Sequence, residues 1–328
     1  GIVAVGITLW SFMTAMCGLA QNYTQLFLAR IGVGVGEATL GPAAYSMLAD
    51  TFPPRKLGFA MGIFNMGTAV GAGLALIIGG SVISFVTSNE SGTTVLFGIE
   101  FLSSWQWVFI LVGLPGLLIA VLISLIKEPS RIISNSINAD GENPVSIGEV
   151  KRFFLQHIDF HFPHHAAASF TNLALVGINS WVSVYFIRIH DWSLGDAGFN
   201  IGISLIVGGL IGLVGGGFLS DRASVKFKGG KAIFCLTCAL LAVPFSLLFA
   251  LTDDAFFALI FFGLAYGFMV APIPSAAAIL QEVTPNRMRG TLSAFYLLII
   301  SIVGLALGAT IVALINDNFY DGYSGIRE

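Results

Sequence analysis

Glu37 is the one acidic side chain in an apolar run covering about residues 26–49, and Arg30 precedes it by seven positions. Seven residues are nearly two helical turns, about 10 Å of rise, so on a helix the two would share a face. A charge in the middle of a bilayer costs about 2.5–3.5 kcal/mol even on insertion scales, and a residue kept there is a functional candidate. The expected chemistry is proton uptake and release by Glu37. Arg30 would hold an anionic group or pair alternately with a carboxylate. Gly32, Gly34 and Gly36 thin this stretch so that neighbouring helices can come close. The competing readings are a satisfied structural carboxylate at Glu37 and, for Arg30, a side chain near the outer end that snorkels to the interface.

A second set of charges sits where apolar runs end. Residues 42–58 and 274–290 match at a constant offset of 232 without a gap: Pro42 with Pro274, Ala44 with Ala276, Leu48 with Leu280, Asp50 with Glu282, Pro53 with Pro285, Arg55 with Arg287 and Gly58 with Gly290. Topology alone needs no acidic residue at the matched position. Asp50, Arg55, Glu282 and Arg287, joined by Asp221, Arg222 and Lys226, are therefore expected to form inter-helix ion pairs that close an inner gate. Solvated helix ends are the alternative. Asn172, Asn179 and Trp181 in the run at 166–187, and Tyr266 in the run at 255–281, are candidates for lining a cavity; simple packing serves each equally well.

Other chemistry is not indicated. Cys235 and Cys238 have C-x-x-C spacing but sit in an apolar run, as Cys17 does, and read as small packing residues. His157, His161, His164 and His165 precede an apolar run without an accompanying Cys and read as an interfacial segment. No phosphate loop of the G-x-x-x-x-G-K-[ST] type is present, so ATP is not the expected energy source. Neither a nucleophile elbow nor H-E-x-x-H occurs, and no enzyme, metal or cofactor is expected.

The elements that would position these residues follow from composition. The 328 residues are 56% hydrophobic and 10% charged, where soluble domains carry about 25% charged residues. Such a chain suits a bilayer as solvent. Nine runs approach the roughly 20 apolar residues that a spanning helix needs: about 3–20, 26–49, 58–86, 106–126, 166–187, 199–220, 232–251, 255–281 and 290–315. Of the 15 Lys and Arg, 12 fall in alternate links, including Lys127, Lys151, Lys226 and Arg289; Arg188 and Arg327 fall on the other side and Arg30 inside a run. The basic side is cytoplasmic by the positive-inside rule. Ser146-x-x-Glu149 is a capping box, and Ile147, Val150, Phe154 and Ile158 follow at helical spacing, which predicts an amphipathic helix on that face. Parallel duplication is an architecture of transporters. By the repeat, two helices would precede Gly1 and one would follow Glu328, making twelve.

The stretch from Leu28 to Thr39 (L-A-R-I-G-V-G-V-G-E-A-T), the run from Pro42 to Lys56, W-Q-W-V-F-I from Trp105, G-L-P-G from Gly113 and K-E-P-S-R from Lys127 resemble bacterial spinster-like members of the major facilitator superfamily. Anion-symporter branches share the G-x-G-E-A pattern. The superfamily's cytoplasmic loop signature, a glycine followed by Asp-Arg and then a basic residue, reads here as Gly217, Asp221, Arg222 and Lys226. The resemblance implies an all-α integral membrane protein with the major facilitator fold: two six-helix bundles, of which nine helices lie in this chain. Residues 1–126 would belong to the N-terminal bundle, 127–160 to a cytoplasmic linker and 161–328 to the C-terminal bundle.

The implied function is secondary active transport by alternating access, proton-coupled as symport or antiport, of lipid-like or amphipathic anions such as lysophospholipids. A small organic-anion or drug transporter is the alternative, and a non-transporting membrane receptor is a third. The expected setting is multi-pass in the inner (plasma) membrane, as a monomer. The expected partners are lipid, protons and substrate; nucleic acid is not among them.

Overall fold

A computed structural model describes residues 2–87, 104–125 and 145–319, all helical apart from short joints. The helices are α1 (Ile2–Gly18), α2 (Tyr23–Glu37), α3 (Leu40–Thr51), α4 (Pro54–Thr87), α5 (Ser104–Ser124), α6 (Ile147–Gln156), α7 (Ile158–Ile189), α8 (Leu194–Leu210), α9 (Gly216–Lys226), α10 (Gly230–Leu251), α11 (Ala255–Val270), α12 (Pro272–Val283), α13 (Arg289–Ser301) and α14 (Leu307–Phe319). A π-helical turn joins α8 to α9 at Ile211–Gly215, and another joins α13 to α14 at Ile302–Ala306. Among the described residues, six helical segments are long and apolar enough to cross a membrane: Pro54–Gly79, Ile158–Ile189, Leu194–Lys226, Gly230–Leu251, Ala255–Val283 and Asn286–Asn318.

The apolar content is spent outward as well as inward. On α10, Cys238, Ala242 and Phe249 are buried, while Leu236, Leu240, Val243, Leu247 and Leu251 stand exposed along the opposite face. Their three- and four-residue steps make one continuous stripe. Such a stripe would be a liability in water and is what acyl chains solvate. The chain is a multi-pass membrane protein.

Several boundaries differ from those expected; the run at 199–220 extends from Leu194 to Lys226, which places Asp221, Arg222 and Lys226 on a helix. The run at 26–49 is two helices, broken at Ala38 and Thr39 directly after Glu37. Ala38 N donates to the Gly34 carbonyl, and Thr39 Oγ1 closes onto the Gly36 carbonyl at 2.9 Å. The run at 255–281 is likewise divided, at Ala271, where Pro272 begins α12. The two breaks stand at the same offset of 232, and α2, α3, α11 and α12 start or stop at matching positions, so the sequence repeat is also a repeat of elements. Finally, α7 starts at Ile158, so His161, His164 and His165 belong to its first turns, not to a segment before it.

Contacts divide the chain into two compact units: Gly1–Asp50 with Val82–Asn143, and Thr51–Ser81 with Pro144–Glu328. In the first, α1 packs on α2 and α5 around Cys17, Ala29 and Val33, with Trp10, Met13, Leu26 and Phe109 against them. Gln106 Nε2 donates to the Ala20 carbonyl at 3.0 Å, satisfying an acceptor left over at the end of α1.

The second unit is built on Val182, Phe186, Ile201, Phe249, Phe262 and Tyr266. Helix α4 lies against α8 and α9 at backbone distance. A Cβ on Gly217 would come 2.3 Å from the Gly58 carbonyl oxygen, and one on Gly73 would come 2.5 Å from that of Gly202. Both contacts are with backbone, which cannot step aside. Gly217→Leu is therefore expected to force α4 away from α9, lowering the unfolding temperature by roughly 5–10 °C, as about 2–3 kcal/mol of overpacking would. Gly67→Ala, on α4 with nothing within 4 Å of its Cβ position, should leave it unchanged. A thermal-shift assay in detergent checks the pair.

Candidate functional site

Where α4 begins, the second unit holds a cluster of charges. Asp221, on α9, is 4% exposed. Its Oδ1 accepts from Gly58 N at 3.1 Å and its Oδ2 from Phe59 N at 2.8 Å. Lys231, in the first turn of α10, points its Nζ at Asp221 Oδ1 (3.2 Å) and at Glu282 Oε1 on α12 (2.5 Å). The same Nζ donates to the Pro54 carbonyl at 2.9 Å. One ammonium thus joins two carboxylates and the first turn of α4. The side chains of Lys231 and Asp221 are each 5% exposed; that of Glu282 is 30% exposed and keeps contact with solvent.

Local sequence explains the convergence. Gly229 adopts φ 76°, which turns the chain between α9 and α10 and delivers Lys231 back onto Asp221. Gly58 and Gly217 let α4 come close enough for its backbone N–H groups to reach a carboxylate on α9. A buried carboxylate needs such donors and a counter-ion, because an ion in a low-dielectric interior is otherwise prohibitive.

Of the residues expected at an inner gate, the structure brings Asp221, Glu282 and Gly217 together. Arg55, Arg222 and Lys226 are exposed and take no part in this cluster. Arg287 is exposed and Asp50 half-buried, and each has an interaction of its own. Lys231, the centre of the cluster, was not among the expected residues. Its signal was the preceding pair Gly229–Gly230, which places it on a helix start rather than in a loop.

Glu37 is the last residue of α2 and is exposed, next to the break at Ala38. No hydrogen bond or ion pair among the described residues occupies it. Arg30, also exposed, sits with its guanidinium 5.0 Å from the centre of the Phe109 ring on α5. That contact holds Arg30 to its own unit.

The candidate cavity residues on α7 are engaged in packing. Asn172 Nδ2 donates to the Ile300 carbonyl and Trp181 Nε1 to the Ala309 carbonyl, each at 3.2 Å. These bonds lie on either side of the π-helical turn at Ile302–Ala306. Asn179 keeps a buried Oδ1 without a partner in the structure, and Tyr266 is 7% exposed within the core. His161 stacks on Phe154 with ring centres 4.7 Å apart. His164 Nε2 lies 3.0 Å from the Ala276 carbonyl.

Comparison with known proteins identifies the family. The sequence matches the Major Facilitator Superfamily over residues 2–309. It is 25% identical over 323 residues to an MFS-type efflux pump of Mycolicibacterium smegmatis, covering 98% of this chain and 69% of that one. It is 26% identical over 330 residues to the protein spinster of Drosophila melanogaster, covering 96% of this chain and 51% of that one. Its structure is similar to that of a bacterial homologue of the human lysosomal transporter spinster, solved inward-facing and unoccupied, with a TM-score of 0.67, 28% identity, and coverage of 97% of this chain and 68% of that one. The chain thus spans about half of the Drosophila protein and just over two thirds of the other two. With membrane-spanning helices, duplicated elements and a family match along nearly its whole length, the chain belongs to the Major Facilitator Superfamily, a family of membrane transporters.

Proposed function

We propose that this protein is a proton-coupled secondary transporter working by alternating access, and that its substrate is a lipid-like or amphipathic anion such as a lysophospholipid. The observation that carries the reading is the Asp221–Lys231–Glu282 cluster. By the repeat, α4 belongs to the first half of the molecule, residues 1–126, and α9, α10 and α12 to the second, residues 161–328, with 127–160 as the link. The cluster therefore ties the two halves. A buried ion cluster is a poor device for stability, since apolar residues of the same volume commonly do as well or better. It suits a contact that must also open, because each ion regains its hydration when the contact parts. Asp221, Lys231 and Glu282 form this inner latch; Asp50, Arg55, Arg222, Lys226 and Arg287 remain candidates for the same gate in another state.

Glu37 is the proton site and Arg30 its partner for the anion. Support comes from the helix break beside Glu37: interrupted helices free backbone groups inside a membrane protein, and transporters build ion and substrate sites there. Asn172, Asn179, Trp181 and Tyr266 remain candidates for shaping the cavity. The lipid-like substrate rests on the similarity to spinster proteins, one of them described as a probable sphingolipid transporter; the similarity to a benzoate transport protein favours a small organic anion or drug as the second reading.

Flux in proteoliposomes distinguishes them. Labelled lysophospholipid should accumulate above its equilibrium level only when a pH gradient is imposed, and collapse of the gradient should release it. Accumulation that ignores the gradient would remove the proton. Transport of small aromatic anions with no competition from lysophospholipid would establish the second reading.

A further inference from the structure

Helix α6 presents two unlike faces. Val150 is buried, and Phe153 and Phe154 are half-buried against the start of α7, where Phe154 also meets His161, His165 and Phe295. The capping box is complete, with Glu149 N donating to Ser146 Oγ at 3.2 Å and Ser146 N to Glu149 Oε2 at 3.3 Å. The helix is therefore firmly seated. Its outer face carries Gly148, Lys151, Arg152 and Leu155, at spacings that place all four on one side. With Gln156 they line a shallow, open notch, and a Cβ added at Gly148 would meet only Ser146 Oγ, at 3.8 Å.

We propose that this notch binds the headgroup phosphate of an anionic phospholipid in the leaflet on the basic side of the membrane. A merely solvated basic face would not keep Leu155 55% exposed beside its cations, nor Ile147 85% exposed in the first turn. Ile147 was expected on the apolar face and is not there. Cations interleaved with exposed aliphatic side chains are the composition of a helix lying in a lipid interface. Position agrees. α6 is seated on the first turns of α7, a spanning helix whose Phe162 and Phe170 are exposed at 69% and 68% as lipid-facing residues are. Charge agrees as well. Lys151 and Arg152 are exposed and enter no ion pair among the described residues, and the nearest acid on the helix, Glu149, is turned into the capping box. A headgroup phosphate resting over Gly148 would meet the ammonium on one side and the guanidinium on the other, with Leu155 and Ile147 reaching towards the acyl chains.

The test is stepwise delipidation of the purified protein, with retained phosphatidylglycerol and phosphatidylcholine measured by mass spectrometry. The wild-type protein should retain phosphatidylglycerol in preference. Lys151→Gln/Arg152→Gln should cut that preference at least about tenfold, since a basic residue near an anionic surface contributes about fivefold. Gly148→Leu, which adds bulk between the lining side chains and leaves both charges, should also cut it. Lys56→Gln/Lys228→Gln, which removes two exposed cations elsewhere on the same side, should not. An unchanged preference in either α6 variant, or an equal loss in the Lys56/Lys228 variant, would overturn the proposal.

Discussion

Lys231→Met is expected to lower the apparent unfolding temperature by roughly 10 °C, the consequence of about 3–5 kcal/mol lost when one partner of a buried ion pair is removed. Methionine fills most of the volume, so the loss is electrostatic. Asp221, 5% exposed at its side chain, would keep its two backbone donors from Gly58 and Phe59 but lose its counter-ion. The Pro54 carbonyl would lose the donor that reaches it from α10. Glu282 would suffer less, because its side chain is 30% exposed and can turn to water. This asymmetry gives an internal check. Lys231→Met/Asp221→Asn should recover much of the loss, since no buried charge is then left unpaired, whereas Lys231→Met/Glu282→Gln should recover little. Equal recovery in the two double variants would mean that Asp221 is not the ion at stake. Thermal unfolding in one detergent measures all four proteins.

Glu37→Gln is expected to abolish pH-driven accumulation while leaving substrate exchange at least partly intact. The change keeps shape and hydrogen-bonding capacity but removes the exchangeable proton. If a proton on Glu37 frees Arg30 for an anion, proton and substrate each alter the other's affinity, as coupling between two sites requires. The glutamine variant would be locked in the state that resembles the protonated one, so it could bind and exchange but not respond to a gradient. Counterflow and gradient-driven uptake in proteoliposomes separate the two activities. Normal gradient-driven uptake by Glu37→Gln would remove Glu37 from the coupling mechanism.

Much of the architecture was legible because two independent patterns agreed. Charges alternated between links, and the 42–58 segment returned at 274–290. The helix breaks carried a signal that the apolar runs obscured. Pro42 stands four residues after Ala38 and cannot donate to its carbonyl, and Pro272 directly follows Ala271; the place of the first break shows in the capping bonds of Ala38 and Thr39 onto the carbonyls of Gly34 and Gly36. Lys231 was hidden for a related reason. Among Arg222, Lys226, Lys228 and Lys231 it looked like one more loop cation, and only the left-handed turn at Gly229 decides that it folds inward. The acceptors that Asn172 and Trp181 use could not be read from the sequence either, because a sequence does not reveal which backbone carbonyls come within reach; they are those of Ile300 and Ala309.

The claim that α4 parts from α9 and α10 during transport is tested most directly by distance. Spin labels at Lys56→Cys and Lys228→Cys, both exposed and flanking the latch, would report the separation in lipid once Cys17, Cys235 and Cys238 are replaced by alanine. Pulsed electron–electron resonance should resolve a short and a long separation whose populations shift with pH and substrate, and Lys231→Met should move the balance to the long one. A single separation, unchanged by pH, by substrate and by Lys231→Met, would contradict alternating access through this latch.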